Sequence, residues 1–237
     1  MSSLGSLPLN GKRIEHFVSH DAIERSSENP FWFPREEREI TGIVTSPFQE
    51  PLFLLILVPP TRSYRIGPGR LYVSMSRWLA EKGIQSIRAD FDSKKLHLIN
   101  WDAPESELAE QLTNFYHAFL DDVKSYIEIS PEKIFLGFSV SATPLITYEH
   151  KLEKLILISP NILFLPDTLY CKYLLVIYGQ HEKDLDGKLE RWRKVVMKNP
   201  RLNYTEVVIP RAEHHFYSWE SKVQIGNVVA DWLIRLG

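Results

Sequence analysis

Cysteine is almost absent from this sequence of 237 residues, because Cys171 is the only one. A single cysteine cannot form an internal disulfide, and it cannot build a zinc site of the cysteine type. This scarcity favours a reducing, cytoplasmic compartment. We expect Cys171 itself to be a small, buried apolar residue.

An excess of positive charge is also missing. The 28 Lys and Arg residues stand against 30 Asp and Glu residues, which gives a formal net charge of −2. A chain with this balance has no strong positive field to hold a polyanion. We therefore expect no nucleic-acid partner.

Long hydrophobic runs are missing too. The most apolar segment, residues 52–60, is too short to cross a bilayer and ends in two prolines, which predicts a buried strand and no membrane span. Residues 1–10 lack the basic stretch and the apolar run of a secretory signal. We interpret residues 1–29 as a polar N-terminal extension, loose or packed, and residues 30–237 as one domain.

What the chain does contain is a regular alternation of strand and helix patterns. Residues 31–33 and 39–45 predict an antiparallel pair of edge strands. Six further strands are predicted at residues 52–58, 84–91, 133–138, 154–159, 173–178 and 202–209. Helices are predicted at residues 71–81, 108–127, 141–149, 188–197 and 222–236. The alternation predicts an α/β fold with a mostly parallel central sheet and helices on both faces.

One predicted strand-to-helix turn carries a reactive group. Ser139 lies there in the sequence Gly137-Phe138-Ser139-Val140-Ser141, close to the G-x-S-x-G pattern of a nucleophile elbow. Small residues suit such a turn because the backbone bends sharply and the strand and helix approach closely. A serine hydroxyl is a poor nucleophile unless a base accepts its proton and a third group orients that base.

Later segments supply both groups. His214 follows the last predicted strand and is our predicted base, while the adjacent His215 is interpreted as a packing residue and stays the alternative. The strand at 173–178 is followed by Gly179 and then by acidic residues, so an acid lies between the serine and the histidine in chain order.

The elbow and the order serine, acid, histidine resemble the α/β-hydrolase superfamily, and the likeness runs from about residue 31 to the end. Residues 64–68 and 88–91 are also similar to small bacterial hydrolases, including those associated with exosortase systems. The resemblance implies an α/β-hydrolase fold with Ser139 as nucleophile and His214 as general base. The family's G-x-x-D spacing, counted from Gly179, implies Glu182 as the acid, with Asp184 as the alternative and Asp186 third.

The resemblance also implies an oxyanion hole made of two backbone amides. Val140, directly after the nucleophile, supplies one of them. The other follows the strand that ends in Pro59 and Pro60, which have no amide hydrogen, so Thr61 is the candidate and Arg62 the reserve. The chain departs from the family pattern at three places: Ser141 replaces a glycine, Glu182 replaces an aspartate, and the two prolines replace a His-Gly pair.

The implied activity is that of a serine esterase or thioesterase that works through an acyl-enzyme. Its substrate would be a small-molecule or carrier-tethered acyl compound. Residues 160–172 leave little room for a lid, and a site with little or no lid would admit a large or tethered acyl substrate more readily. Two alternatives stay open: an acyltransferase with the same triad, or a non-catalytic binding module, which the three departures favour.

No cofactor is implied, and no metal site is predicted, because His16 and His20 lack a third ligand. Three arginines near the expected mouth are interpreted as solvated surface residues or as contacts for an anionic substrate: Arg62, Arg65 and Arg70.

Overall fold

The computed structural model describes residues 26–35, 38–60, 64–91, 98–126, 133–148, 152–161 and 169–236. Thr61, Arg62, His16 and His20 lie outside the described residues, as does most of the predicted N-terminal extension. The first strand begins at Ser26, four residues before the predicted domain boundary.

The core of the fold is an eight-stranded sheet in the order β1-β2-β4-β3-β5-β6-β7-β8. Its strands are β1 (Ser26–Arg35), β2 (Arg38–Pro47), β3 (Phe53–Val58), β4 (Ile84–Asp90), β5 (Lys133–Phe138), β6 (Lys154–Ile158), β7 (Tyr173–Gly179) and β8 (Asn203–Ile209). β2 runs antiparallel to β1 and β4, and the remaining neighbours are parallel. The predicted fold class is confirmed.

Helices cover both faces of the sheet. They are α1 (Leu71–Glu81), α2 (Glu105–Tyr126), α3 (Ala142–Thr147), α4 (Leu185–Lys198) and α5 (Trp219–Leu236). One apolar cluster joins α2, α3 and α4 to one face of the sheet. A second cluster joins α1 and α5 to the other face. Among the described helices, none combines the length and apolar character that a bilayer crossing needs.

The central strands are aliphatic because both of their faces are covered. All six residues of β3 are buried, as are the last five of β5, and a strand buried on two faces cannot alternate apolar with polar side chains. The parallel strands all end at one edge of the sheet. Residues that follow β5, β6, β7 and β8 are therefore brought close together, although they lie far apart in the sequence.

An ion-pair cluster fastens the edge strand β1 to the rest of the molecule. Glu28 of β1 accepts hydrogen bonds from Arg88 of β4 at 2.7 Å and from Arg77 of α1 at 3.0 Å. Burial alone would raise the pKa of Glu28, but these two guanidinium groups lower it below its usual range. The Arg88 side chain is almost fully buried, so Glu28 supplies the charge that balances it.

Two local predictions need correction. The helix predicted over residues 141–149 begins with a 3₁₀ turn (Ser139–Ser141) and continues as α3 only to Thr147, because Tyr148 adopts an extended backbone. Cys171, predicted to be buried, is partly exposed. Burial nevertheless raises the pKa of its thiol to about 12, so the thiolate is scarce at neutral pH.

Candidate active site

Ser139 occupies a strained turn between β5 and α3. Its φ angle is +54°, in the left-handed region that non-glycine residues rarely adopt. The strand and the helix approach closely on either side of it. A Cβ atom on Gly137 would lie 2.6 Å from the buried Leu145 side chain and 3.1 Å from the Ser141 carbonyl oxygen, so a larger residue there would force these neighbours to shift. The sharp bend lifts the serine hydroxyl to the carboxyl edge of the sheet.

Ser141, where the family pattern has glycine, is accommodated by hydrogen bonds. Its side chain is fully buried, and its Oγ accepts the Phe138 N–H at 2.8 Å. The same hydroxyl lies 3.0 Å from the Phe138 carbonyl oxygen, to which it donates. The hydroxyl thus satisfies backbone groups inside the turn, which explains why a residue larger than glycine is tolerated.

The structure brings Ser139, His214 and Glu182 together in one chain of contacts. The distance between Ser139 Oγ and His214 Nε2 is 3.2 Å. The other ring nitrogen of His214, Nδ1, lies 3.3 Å from Glu182 Oε2. Since the three residues follow β5, β7 and β8, the parallel sheet itself is responsible for this convergence.

Backbone hydrogen bonds hold the acid-bearing and histidine-bearing loops against each other. His181 N–H donates to the Ala212 carbonyl oxygen at 2.8 Å, and Gln180 N–H donates to that of Ile209 at 3.0 Å. Gly179 allows the approach, because a Cβ atom there would lie 2.5 Å from the Ala212 oxygen. The spacing between Glu182 and His214 is therefore set by main-chain contacts.

The Glu182 carboxylate is buried and surrounded by donors. Its Oε1 accepts hydrogen bonds from the Ser159 hydroxyl and, at 3.1 Å, from Gly179 N–H. Its Oε2 accepts one from Lys188 Nζ at 2.8 Å. Burial by itself would raise the pKa of Glu182, but hydrogen bonds from His214, Lys188, Ser159 and Gly179 together lower it to about 2. The carboxylate is thus ionised at neutral pH.

Alternative candidates lie elsewhere. Asp184, kept open as the acid, has a side chain that is 65% exposed and pairs with Arg191 at 3.5 Å, so it does not meet His214. His215 is exposed and stacks on Tyr217 with ring centroids 5.3 Å apart. Asp186, the third candidate acid, is exposed in the first turn of α4. Of the two histidines and the three acids, the structure brings His214 and Glu182 to Ser139.

The loop after β3 is anchored by two buried tyrosines. Tyr72 donates to the Val58 carbonyl oxygen at 2.8 Å, and Tyr116 donates to that of Pro59 at 2.9 Å. Desolvation raises the pKa of each phenol well above its usual value, so both remain neutral donors. Val140, the predicted first oxyanion donor, directly follows Ser139 in the 3₁₀ turn Ser139–Ser141.

One of the three arginines near the expected mouth is paired within the fold. Arg65, considered as a contact for an anionic substrate, donates through its side chain and, at 2.7 Å, through its backbone N–H to Asp90. The pair ties the segment after β3 to the end of β4, so this guanidinium serves the fold.

Two contributors to the site were not found from the sequence. Ser159 and Lys188 both bind the Glu182 carboxylate, but Ser159 follows a strand to which no role was given. Lys188 is six residues beyond Glu182, and this spacing alone does not predict a contact, because the chain turns at Asp184 before α4 begins. The position of Ser159 at the carboxyl end of β6, the edge where the other site residues lie, was the one sequence feature that could have indicated its contact with Glu182.

A cleft of about 470 Å³ lies between α2 and α3 and is lined by Glu105, Ser106, Ala109, Glu110, Thr113, Thr143 and Thr147. None of the three converging side chains lines it. Within the described residues, no group of three or more histidine, cysteine or acidic side chains is arranged to hold a metal ion.

Comparison with known proteins gives similarity in structure but not in sequence. No family model matches the chain, and no curated protein matches it either. A dienelactone hydrolase-like promiscuous phosphotriesterase from metagenomic libraries superposes with a TM-score of 0.66 at 13% identity, over 90% of this chain and 99% of that one. A dienelactone hydrolase from Anabaena variabilis gives 0.59 at 14%, over 90% and 99%.

An S-formylglutathione hydrolase from Agrobacterium tumefaciens also matches, with a TM-score of 0.56 at 13% identity, over 92% of this chain and 98% of that one. These superpositions establish a shared fold. At sequence identities this low they do not identify the reaction, which must be argued from the site itself. The finer likeness to exosortase-associated hydrolases stays a prediction.

Proposed function

We propose that this chain, which has the α/β-hydrolase fold, is a serine hydrolase that cleaves carboxylic esters or thioesters through an acyl-enzyme. One observation carries the proposal: His214 lies 3.2 Å from the Ser139 hydroxyl on one side and 3.3 Å from the buried Glu182 carboxylate on the other. A nucleophile, a base and a group that orients the base are the requirements of acyl transfer.

The first step is attack by Ser139 Oγ on the substrate carbonyl carbon. His214 Nε2 accepts the hydroxyl proton as the new carbon–oxygen bond forms, and the carbonyl oxygen becomes an oxyanion. Glu182 accepts the Nδ1 hydrogen of His214, which fixes the tautomer that leaves Nε2 free to act as a base. Its negative charge then stabilises the imidazolium that is formed.

The oxyanion is assigned to the backbone amides of Val140 and Thr61. Two donors aimed at the developing charge are the usual means of stabilising a tetrahedral intermediate. When the intermediate collapses, His214 donates its proton to the leaving alcohol or thiol, and the acyl group stays on Ser139. Water, deprotonated by the same imidazole, then attacks the acyl-enzyme and releases the acid.

The departures from the family pattern are compatible with this chemistry. Ser141 is hydrogen-bonded within the turn, so it does not disturb the elbow. Glutamate is one methylene longer than aspartate, and Glu182 still reaches His214 while it accepts three further hydrogen bonds. These contacts favour an enzyme over a non-catalytic binding module.

Covalent labelling tests the proposal. A fluorophosphonate probe is expected to label the wild-type protein and the exposed-serine control Ser106→Ala, and not Ser139→Ala. The wild type is also expected to hydrolyse p-nitrophenyl acetate, with acetyl-coenzyme A as the thioester counterpart. Equal labelling of wild type and Ser139→Ala would show that this serine is not the nucleophile.

A further inference from the structure

The buried carboxylate of Glu182 contacts two nitrogen groups through a single oxygen. Lys188 Nζ lies 2.8 Å from Oε2, and His214 Nδ1 lies 3.3 Å from the same atom. The Glu182 side chain is fully buried, and that of Lys188 is 22% exposed. An ammonium group therefore lies beside the acid that would stabilise a protonated His214.

The remaining contacts of Glu182 do not depend on Lys188. Oε1 is held by the Ser159 hydroxyl and by the Gly179 N–H. Both donors come from the ends of neighbouring sheet strands, so the position of the carboxylate is fixed by the sheet. What Lys188 adds is a positive charge.

Resting on the function proposed above, we propose that Lys188 is a positioning residue that acts through Glu182 on His214. Its ammonium offsets the carboxylate charge and thereby disfavours protonation of the imidazole. A base that stays unprotonated remains able to accept the Ser139 proton in more acidic solution. Lys188 thus extends the activity of the site towards low pH.

The other polar groups near the Glu182 carboxylate do not offset its negative charge as Lys188 does. Tyr178 of β7 lies under the Lys188 ammonium, 5.6 Å from ring centroid to nitrogen. Burial raises the pKa of its phenol, which is therefore neutral. On α4, the exposed Asp184 and Arg191 pair with each other.

The loop that carries His214 contributes its own charged and titratable groups. Glu213 is exposed, and the exposed His215 ring lies 5.0 Å from the His214 ring, edge to face. Among the described residues, Lys188 and His214 are the groups able to carry positive charge that bond to Glu182.

The pH dependence of kcat/KM for p-nitrophenyl acetate provides the test. In Lys188→Gln, which keeps a hydrogen-bond donor and removes the charge, the acidic limb is expected to move to higher pH by about one unit. Lys188→Arg, which restores the charge, is expected to return the limb to its wild-type position. The matched control is Lys183→Gln, whose exposed lysine adjoins Glu182 in sequence and is expected to have the wild-type profile.

An acidic limb at the same pH in Lys188→Gln and in the wild type would overturn the proposal, and so would equal displacement in Lys188→Gln and Lys188→Arg. Lys188→Met, which keeps an aliphatic stem over Tyr178, makes the same comparison if Lys188→Gln does not fold. The rate of fluorophosphonate labelling, measured against pH, separates the two proposals. A wild type that is neither labelled nor active contradicts the serine hydrolase, whereas a labelled wild type with no shift in the variant contradicts the role of Lys188 alone.

Discussion

Side chains of the same chemical type stand close together at this site and make different contacts. His214 reaches Ser139 while its neighbour His215 stacks on Tyr217. Glu182 is buried against His214, whereas Asp184 faces solvent. In each pair, substitution of the first residue tests the site and substitution of its neighbour provides the control.

For the histidines, His214→Ala removes the group that we propose as the acceptor of the serine proton. We expect kcat/KM for p-nitrophenyl acetate to fall roughly 10²- to 10⁴-fold, the usual contribution of a general base. His215→Ala is expected to stay within about threefold of the wild type, because its ring contacts neither Ser139 nor Glu182. A loss of activity confined to His215→Ala would mean that His215, and not His214, is the base.

For the acids, Glu182→Gln places an amide where the carboxylate fixes the imidazole tautomer. We expect kcat to fall roughly 10³- to 10⁴-fold. Asp184→Asn alters an exposed pair with Arg191 and is expected to leave kcat close to that of the wild type. Steady-state kinetics on both variants provide the measurement, and a reversed order of losses would reassign the acid.

The three converging residues are accessible to sequence reasoning for a physical reason. Ser139 follows the mostly apolar strand β5 and His214 follows β8, which ends in Val-Val-Ile, and parallel strands bring their carboxyl ends to one edge. Arg65 was harder to interpret, because its partner Asp90 is 25 residues away and becomes a neighbour only after β3 and β4 pair. Long-range charge pairing of this kind leaves no periodic trace in the sequence.

Among the structural elements, the closely packed ends of β7 and β8 set the distance between Glu182 and His214. A Cβ atom at Gly179 would lie 2.5 Å from the Ala212 oxygen and 2.9 Å from that of Glu213, both of them main-chain atoms. Gly179→Ala must therefore push the histidine loop away. We expect a loss of stability of about 1–3 kcal/mol and a fall in kcat/KM of roughly tenfold or more.

Gly187→Ala is the matched control for that change. The three atoms nearest to a Cβ atom at Gly187 all belong to the side chain of Asp184, which is exposed and can turn towards solvent. Alanine in helix α4 should raise stability by about 0.5–1 kcal/mol. Urea unfolding and ester hydrolysis, measured on both variants, check the pair. Equal stability of the two would contradict the tight loop packing described above.

Apart from β1, which begins at Ser26 and not at residue 31, the strands and the four long helices follow from the sequence to within three residues, and most of the three-residue differences lie at helix starts. The sequence predicts α4 from residue 188, but the helix begins at Leu185. Its first turn is not predicted because it contains Gly187, which weakens the helical pattern. α5 was predicted from residue 222 and begins at Trp219. The short α3 depends on tertiary packing at the elbow, so its length was not accessible from periodicity.

Across the whole molecule, the buried acids link stability to pH. The pKa of Glu182 is about 2 in the folded state, below its ordinary value of 4.5, and that of Glu28 is also lowered. A lowered folded-state pKa stabilises the protein above the ordinary value, and the contribution is lost as the pH falls towards the folded-state value. Acid should therefore weaken the fold between about pH 4.5 and 2.

Chemical denaturation at several pH values tests this linkage. In Glu182→Gln, the free energy of unfolding is expected to fall less steeply with acid over that range than in the wild type. The control Glu153→Gln alters an exposed carboxylate that pairs at 3.6 Å with the exposed Lys172, and its slope is expected to match the wild type. Identical slopes in all three proteins would show that Glu182 does not contribute to acid sensitivity.

The left-handed backbone at Ser139 has a consequence for engineering this protein. Other non-glycine residues with positive φ lie in the adjoining loops: Ser159, Asp184, Arg211 and Phe216. Strain of this kind costs about 1–3 kcal/mol at each position. Glycine or asparagine at the solvent-facing Arg211 would relieve this strain, whereas the same change at Ser139 or Ser159 would remove a hydroxyl that contacts His214 or Glu182. Substitutions that raise thermal stability should therefore be sought at Arg211, because at Ser139 and Ser159 a residue that relieves the strain would also change the site.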